Sequence, residues 1–244
     1  MSPPPLHVQL YLRRTLVPSV PFAAKCKQVL LHNNFTYLSY MDYINHLQKD
    51  KKLASIILQP LPPLKHRKNT AVHLMAGIMS QQLNTKVADI IYARFLQLFN
   101  GAEPLPQQVL DIPAATLRSI GLSNAKVNYV HNVARFFTEH GITDKKLKSL
   151  GNEEVIALLT QIKGVGRWTV EMLLMFSLSR EDVFAVDDLG IQQAMVRLYK
   201  LKTNDKKILR EKLLKLSARW SPYRTYACIH LWRWKDIVPV KAKA

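Results

Sequence analysis

Cysteine is scarce in this chain, acidic residues are few, and long apolar runs are missing, and each shortage narrows the chemistry. Only two cysteines, Cys26 and Cys228, occur in 244 residues, far apart in sequence. Two distant thiols give no framework for a disulfide scaffold, a zinc site or an iron–sulfur cluster, and they suit a reducing compartment. The eight histidines are scattered without a His-Glu-x-x-His or similar spacing, so no catalytic metal is expected. No apolar run is long enough to span a bilayer. Convincing apolar–polar alternation, the mark of a half-buried strand, is absent too, which leaves an all-α class.

Positive charge, by contrast, is abundant. Lys and Arg number 35 against 17 acids, a formal net charge of +18. Such an imbalance favours a polyanionic partner, either nucleic acid or an anionic membrane surface. Hydrophobic residues at 48% and charged residues at 21% are ordinary for a folded chain, and this length buries one good core or two modest ones.

The first 41 residues contain no acid, while Arg13, Arg14, Lys25 and Lys27 are basic and Pro3, Pro4, Pro5, Pro18 and Pro21 interrupt them. An acid-poor, basic, apolar leader matches an organellar transit peptide, and a translation start at Met41 is the plainer account. Residues 1–40 are expected to be a poorly ordered extension, and 236–244 a basic tail. Between them, residues 41–235 read as helix after helix. Tyr43, Ile44, Leu47, Leu53, Ile56 and Ile57 recur at helical spacing before Pro60, Pro62 and Pro63 break the pattern. Helices are then expected at about 70–83, 85–99, 106–111, 114–120, 123–139, 152–162, 167–178, 188–200, 205–219 and 223–234. Ser123 is placed to cap its helix, and Gly121 and Gly141 to close theirs.

The segment Ile162-Lys163-Gly164-Val165-Gly166-Arg167-Trp168-Thr169 carries an apolar helix end through two glycines directly into another helix. Glycines permit a tight turn with positive φ. The turn presents backbone N–H groups at a helix N-terminus, where they hold a phosphate oxygen without reading sequence. Lys163 and Arg167 flank the turn and are expected to add attraction to the same phosphate. An ordinary helix connection capped by glycine explains the same residues, and the charge of the whole chain favours the DNA reading. A dinucleotide-binding loop is excluded because no strand precedes the glycines and a third glycine is missing. Further along comes Val183-Phe184-Ala185-Val186-Asp187-Asp188-Leu189-Gly190, an acid pair between an apolar run and a helix. Either acid makes a good N-cap, and two carboxylates in so basic a chain also suit a desolvated site; both readings stand.

Together these residues resemble the helix-hairpin-helix DNA glycosylase superfamily, and more narrowly its alkylpurine branch, that of bacterial 3-methyladenine DNA glycosylase II and its yeast relatives. The resemblance covers about residues 42–235. It rests on motifs in order: Ser80-Gln81-Gln82-Leu83-Asn84-Thr85-Lys86, then Leu117-Arg118-Ser119-Ile120-Gly121-Leu122-Ser123-Asn124-Ala125-Lys126, the hairpin, Asp187-Asp188-Leu189-Gly190, and Trp220-Ser221-Pro222-Tyr223-Arg224. It implies two helical subdomains with the active-site cleft between them and the helix-hairpin-helix at about 155–178. It further implies an intracellular, monomeric, DNA-associated enzyme that excises alkylated purines such as 3-methyladenine and 7-methylguanine.

The resemblance also assigns roles. Asp188 aligns with the catalytic aspartate; the proline that often precedes the pair is here replaced by Ala185 and Val186. Trp168 stands where the strand-cutting branch carries a Schiff-base lysine, which implies base removal without strand cleavage. Trp168 and Trp232 align with aromatic walls that stack on an electron-deficient base, and Tyr40, Tyr43 and Met172 are further pocket candidates. Met172 replaces a tyrosine found in some bacterial relatives. Gln82, Leu83 and Asn84 match the wedge that fills the gap left by a flipped base, with Lys163, Gly164, Val165, Gly166, Arg167 and Thr169 on the phosphate. No cofactor is implied beyond a monovalent cation on hairpin backbone carbonyls; the partner is double-stranded DNA. The alternatives are a glycosylase for other damaged or mismatched bases, a non-catalytic DNA-binding module and, more weakly, a membrane-surface protein.

Overall fold

The computed structural model describes residues 42–237, so the N-terminal extension, Cys26, Tyr40 and the C-terminal tail lie outside the described residues. Every regular element among the described residues is helical. The chain divides into two compact units, one formed by Lys65–Arg180 and the other by 42–64 with 181–237. No helix among the described residues is long and apolar enough to cross a membrane.

The Lys65–Arg180 unit is built around α3 (Thr70–Ser80), after α1 (42–47) and α2 (Lys51–Ala54) of the other unit. Ten of its eleven residues are buried, leaving only His73 half-exposed, so α3 is apolar on every side rather than amphipathic. It packs against α4 (Thr85–Gln97), α7 (Asn124–Glu139) and α10 (Arg167–Phe176). Short helices α5 (Pro106–Leu110) and α6 (Ala114–Ser119) pack on α7, and α9 (Asn152–Leu159) packs on α10. Ser123 caps α7 as expected, its hydroxyl accepting from Lys126 N–H. Gly121 (φ 109°) and Gly141 (φ 55°) follow α6 and α7 in conformations that favour glycine.

A helix buried this completely must have its end groups satisfied by the protein. Asn69, at the N-cap of α3, is left-handed (φ 60°) and makes no side-chain cap. Asp144 supplies the cap from elsewhere: its carboxylate accepts from Asn69 N–H (2.8 Å), Thr70 N–H (2.9 Å) and the Thr70 hydroxyl (2.5 Å). Desolvation pushes this carboxyl up, but those bonds outweigh it and hold it below the ordinary 3.8. Asp144 begins α8 (Asp144–Ser149), a helix the sequence pattern did not reveal because only Leu147 in it is buried.

The second unit packs α11 (Leu189–Tyr199) on α13 (Arg224–Ile237) and on α2. Between α11 and α13 come α12 (Lys206–Ser217) and a 3₁₀ turn, Ala218–Trp220, where one helix over 205–219 was expected. The expected first helix is likewise split, because Asp50 caps a new one: its Oδ1 accepts from Lys52 and Leu53 N–H. Its Oδ2 accepts from the Tyr199 hydroxyl (2.6 Å) and Trp220 Nε1 (3.2 Å), with Arg219 Nη2 at 3.5 Å. Burial raises the Asp50 pKa, the bonds from Tyr199, Trp220 and Leu53 and the charge of Arg219 lower it, and the net value lies below 3.8.

This knot predicts a pH-dependent stability. Asp50→Asn keeps the cap but turns an amide nitrogen toward two donors, a loss of about 2–4 kcal/mol at neutral pH. Because the folded pKa is depressed, the ionised group's contribution is present above 3.8 and is lost as pH falls through the folded value. Urea melts of both proteins at pH 7, 5 and 3 should show a gap that is smallest in the most acid series. An equal gap at all three would remove the carboxylate from this role.

Candidate active site and nucleic-acid interface

In the 181–237 segment, α11 begins at Asp188, which is both its N-cap and a buried carboxylate at 7% exposure. Oδ1 accepts from Ile191 N–H (2.8 Å) and from Trp232 Nε1 (2.9 Å). Two donors from different helices fix the carboxylate's position. The two readings of Asp188, cap and chemistry, are thus compatible in one side chain. Gly190 eases the contact: a Cβ there would lie 3.1 Å from Asp188 Oδ1 and 3.3 Å from Trp232 Cδ1, so both would have to give by a few tenths of an ångström. The neighbouring acid is placed differently, since Asp187 is exposed and paired with Arg210 at 3.3 Å.

The structure gives Trp232 a task that spacing did not suggest. It was expected as a pocket wall; it is 3% exposed and donates its indole N–H to Asp188. Tyr43, also expected in the pocket, is a packing residue. It is 1% exposed, stacks on Tyr226 at 4.1 Å, and its hydroxyl accepts from Leu61 N–H (2.5 Å). Helical spacing cannot distinguish such a tyrosine from a pocket one, because both lie on the apolar face.

In the Lys65–Arg180 unit the hairpin is formed by α9, a turn at 160–166 and α10. Its two glycines serve different needs. Gly164 has φ 102°, and a Cβ on it would sit 2.2 Å from the Tyr129 ring. Gly166 is extended (φ −95°) and is the N-cap of α10, with no side-chain cap and nothing within 4 Å of an added Cβ. An open N-cap at the start of a ten-residue helix leaves room for an anion against backbone N–H groups. Val165 and Thr169 are buried at 5%, so they shape the turn, while Lys163 is exposed. Trp168, in the first turn of α10, is half-buried, and Met172 one turn on is fully buried.

Arg167 is committed internally. Its guanidinium pairs with Glu153 (2.9 and 2.5 Å) and its Nε with buried Glu171 (3.0 Å). It therefore pins α9 to α10 rather than standing free for a phosphate, which leaves Lys163 as the flanking cation. The i,i+4 spacing to Glu171 is legible in the sequence, but the pairing with Glu153 is not, because Glu153 lies on the preceding helix.

The wedge residues leave the helix earlier than expected: α3 stops at Ser80, not 83. Gln82 is exposed and left-handed (φ 59°), Leu83 is half-exposed, and exposed Asn84 caps α4 by accepting from Val87 N–H (3.0 Å). The carbonyls that end α3 are held by Lys126, whose Nζ donates to Met79 O (2.9 Å) and Gln81 O (2.7 Å). Burial lowers the pKa of that ammonium. Lys126 lies in a quoted motif, yet no spacing signal marks a contact made 45 residues back in the chain.

No group of three His, Cys, Asp or Glu side chains among the described residues is placed to hold a metal. A profile of the HhH-GPD superfamily of base excision DNA repair proteins matches residues 75–219. The chain is 37% identical to DNA-3-methyladenine glycosylase 1 of Schizosaccharomyces pombe, over 72% of this chain and 79% of that protein. It is 31% identical to the putative DNA-3-methyladenine glycosylase YfjP of Bacillus subtilis, over 66% of this chain and 57% of that one. Among solved structures, the S. pombe 3-methyladenine glycosylase Mag1 in complex with abasic DNA superposes with TM-score 0.69 and 35% identity, covering 79% of this chain and 95% of that one.

The hairpin geometry predicts unequal glycine substitutions. Gly164→Ala should cost about 2–4 kcal/mol, from ring overlap and a left-handed alanine. Removing the ring with Tyr129→Ala should reduce that cost to about 1–2 kcal/mol, the backbone share alone. Gly166→Ala should cost about 1 kcal/mol, with no dependence on Tyr129. Denaturant titration of the single and double variants measures these couplings, and equal costs at both glycines would refute the assignment.

Proposed function

The chain belongs to the HhH-GPD superfamily of base excision DNA repair proteins, and from this we propose that it excises alkylated purines from duplex DNA by hydrolysing the N-glycosidic bond. The observation that carries the reading is Asp188, buried at a helix start and held by Ile191 N–H and Trp232 Nε1. The curated relatives named as 3-methyladenine glycosylases support the substrate class, with 3-methyladenine and 7-methylguanine as the bases expected.

A base inside a duplex is out of reach, so the nucleotide must be turned out of the stack. The open N-terminus of α10 and Lys163 hold the backbone phosphate, and the turn carrying Gln82, Leu83 and Asn84 enters the vacated space. A cationic alkylpurine is already a good leaving group. What it needs is a carboxylate near C1′ that stabilises the oxocarbenium-like sugar or takes a proton from the attacking water. Asp188 supplies that carboxylate, while Ile191 and Trp232 keep it from rotating. Trp168, in the first turn of α10, supplies an aromatic face to the displaced base and no amine. Without an amine there, no Schiff base forms, and the product is an abasic site in an intact strand.

We propose that the hairpin carbonyls also hold a monovalent cation; in support, Ile162 O and Lys163 O each accept one hydrogen bond, from Val165 N–H and Asn132 Nδ2, and a carbonyl oxygen has a second lone pair. Bound there, such an ion would add positive charge beside the phosphate. The protein acts as a monomer on DNA inside the cell.

The test is base release from methylated DNA, read by chromatography alongside strand cleavage and borohydride trapping. Free 3-methyladenine or 7-methylguanine, uncut DNA and no trapped adduct are expected. Asp188→Asn preserves the helix cap, since asparagine caps as well as aspartate, so the variant should fold and bind DNA. Its release rate should fall by roughly 100-fold or more. Undiminished release by Asp188→Asn would overturn the assignment, and a trapped adduct would overturn the chemistry.

A further inference from the structure

One face of α7 touches both turns that the proposed function places on DNA. Lys126 Nζ reaches Met79 O and Gln81 O at the end of α3, where the wedge turn begins. Tyr129 presents its ring to Gly164 of the hairpin, close enough that no Cβ would fit. Asn132 Nδ2 donates to Lys163 O at 3.1 Å. Positions 126, 129 and 132 share a helix face and span about 9 Å of its axis. All of these contacts lie within the Lys65–Arg180 unit.

Resting on that reading of the two turns, we propose that Lys126 is a positioning residue for base displacement, holding the wedge turn at a fixed offset from the phosphate-binding hairpin through α7. The physical need is specific. Pushing a base out of the stack costs free energy, so the inserted turn must not retreat when it meets the duplex. The turn is itself unfavourable: Gln82 is left-handed without being glycine, a conformation that persists only where its surroundings enforce it. Two charge-assisted bonds from one ammonium to the carbonyls before Gln82 are that enforcement, and the negative end of the α3 dipole strengthens them. Tyr129 and Asn132, further along the same face, then fix α7 to the hairpin, so the phosphate becomes the anchor against which the wedge acts.

The experiment compares wild type with Lys126→Met, Lys126→Gln and Lys126→Arg in the full chain. The probe is a duplex with 2-aminopurine beside a tetrahydrofuran abasic analogue, whose fluorescence rises when the neighbouring stack is opened. At saturating protein, Lys126→Met should lose most of that rise and release alkylated bases about tenfold more slowly or worse. Its affinity for undamaged duplex, set by the hairpin, should stay within about twofold. Lys126→Arg should restore fluorescence and rate, and Lys126→Gln, which keeps a donor but no charge, should fall between. Full fluorescence in Lys126→Met overturns the proposal. So does a loss of rise, affinity and melting midpoint together in both Lys126→Met and Lys126→Gln, which marks a mere structural prop. If wild type releases no alkylated base, the proposed function fails, while the fluorescence series still decides the role of Lys126.

Discussion

An α-helix leaves four N–H groups at its start and four carbonyls at its end without partners, and meeting that constraint organises this protein. The need is greatest for α3, which is buried along nearly its whole length. Its first N–H groups are met by Asp144 from another helix and its last carbonyls by Lys126 from a third. Neither contact is local. Each ties a distant segment to the central helix, so the same bonds that remove an electrostatic cost also fix the geometry of the unit.

The candidate functional elements are helix ends as well. Asp188 satisfies the start of α11 and, through the same oxygen, receives the indole of Trp232. A cap and a chemically useful carboxylate have the same physical requirements: a short acidic side chain, fixed and partly withdrawn from water. The start of α10 is handled in the opposite way. Its N-cap is a glycine with no capping side chain and open space around it, which is what an incoming anion needs. Protein side chains complete one helix start, and the other is left for the proposed ligand to complete.

Much of this was legible before the fold. The helical class, most helix centres, the caps Ser123 and Asp188, and the hairpin itself follow from local rules of periodicity, propensity and turn chemistry. Helix ends were less legible, since α3 ends at Ser80 through a left-handed Gln82 that no composition rule singles out. Helix α8 escaped notice because it buries one leucine and earns its place by capping α3. Side-chain assignments were least legible. Arg167 was expected on a phosphate and is paired with Glu153 and Glu171; Tyr43 was expected in a pocket and stacks on Tyr226. Glu153 and Tyr226 lie on other segments, and only Glu171 sits on the same helix as the residue it holds.

What the sequence by itself determined is the set of helices, the Gly-x-Gly turn and the acid at the head of α11, because each depends on residues within a few positions of one another. Only the tertiary structure decided what those residues touch. It made Trp232 a donor that holds Asp188, set Gly190 against both, and placed Lys126 on the carbonyls of α3. The physical cause is reach: a hydrogen bond is made over about 3 Å in space, and the sequence records nothing of which distant residues are brought that close.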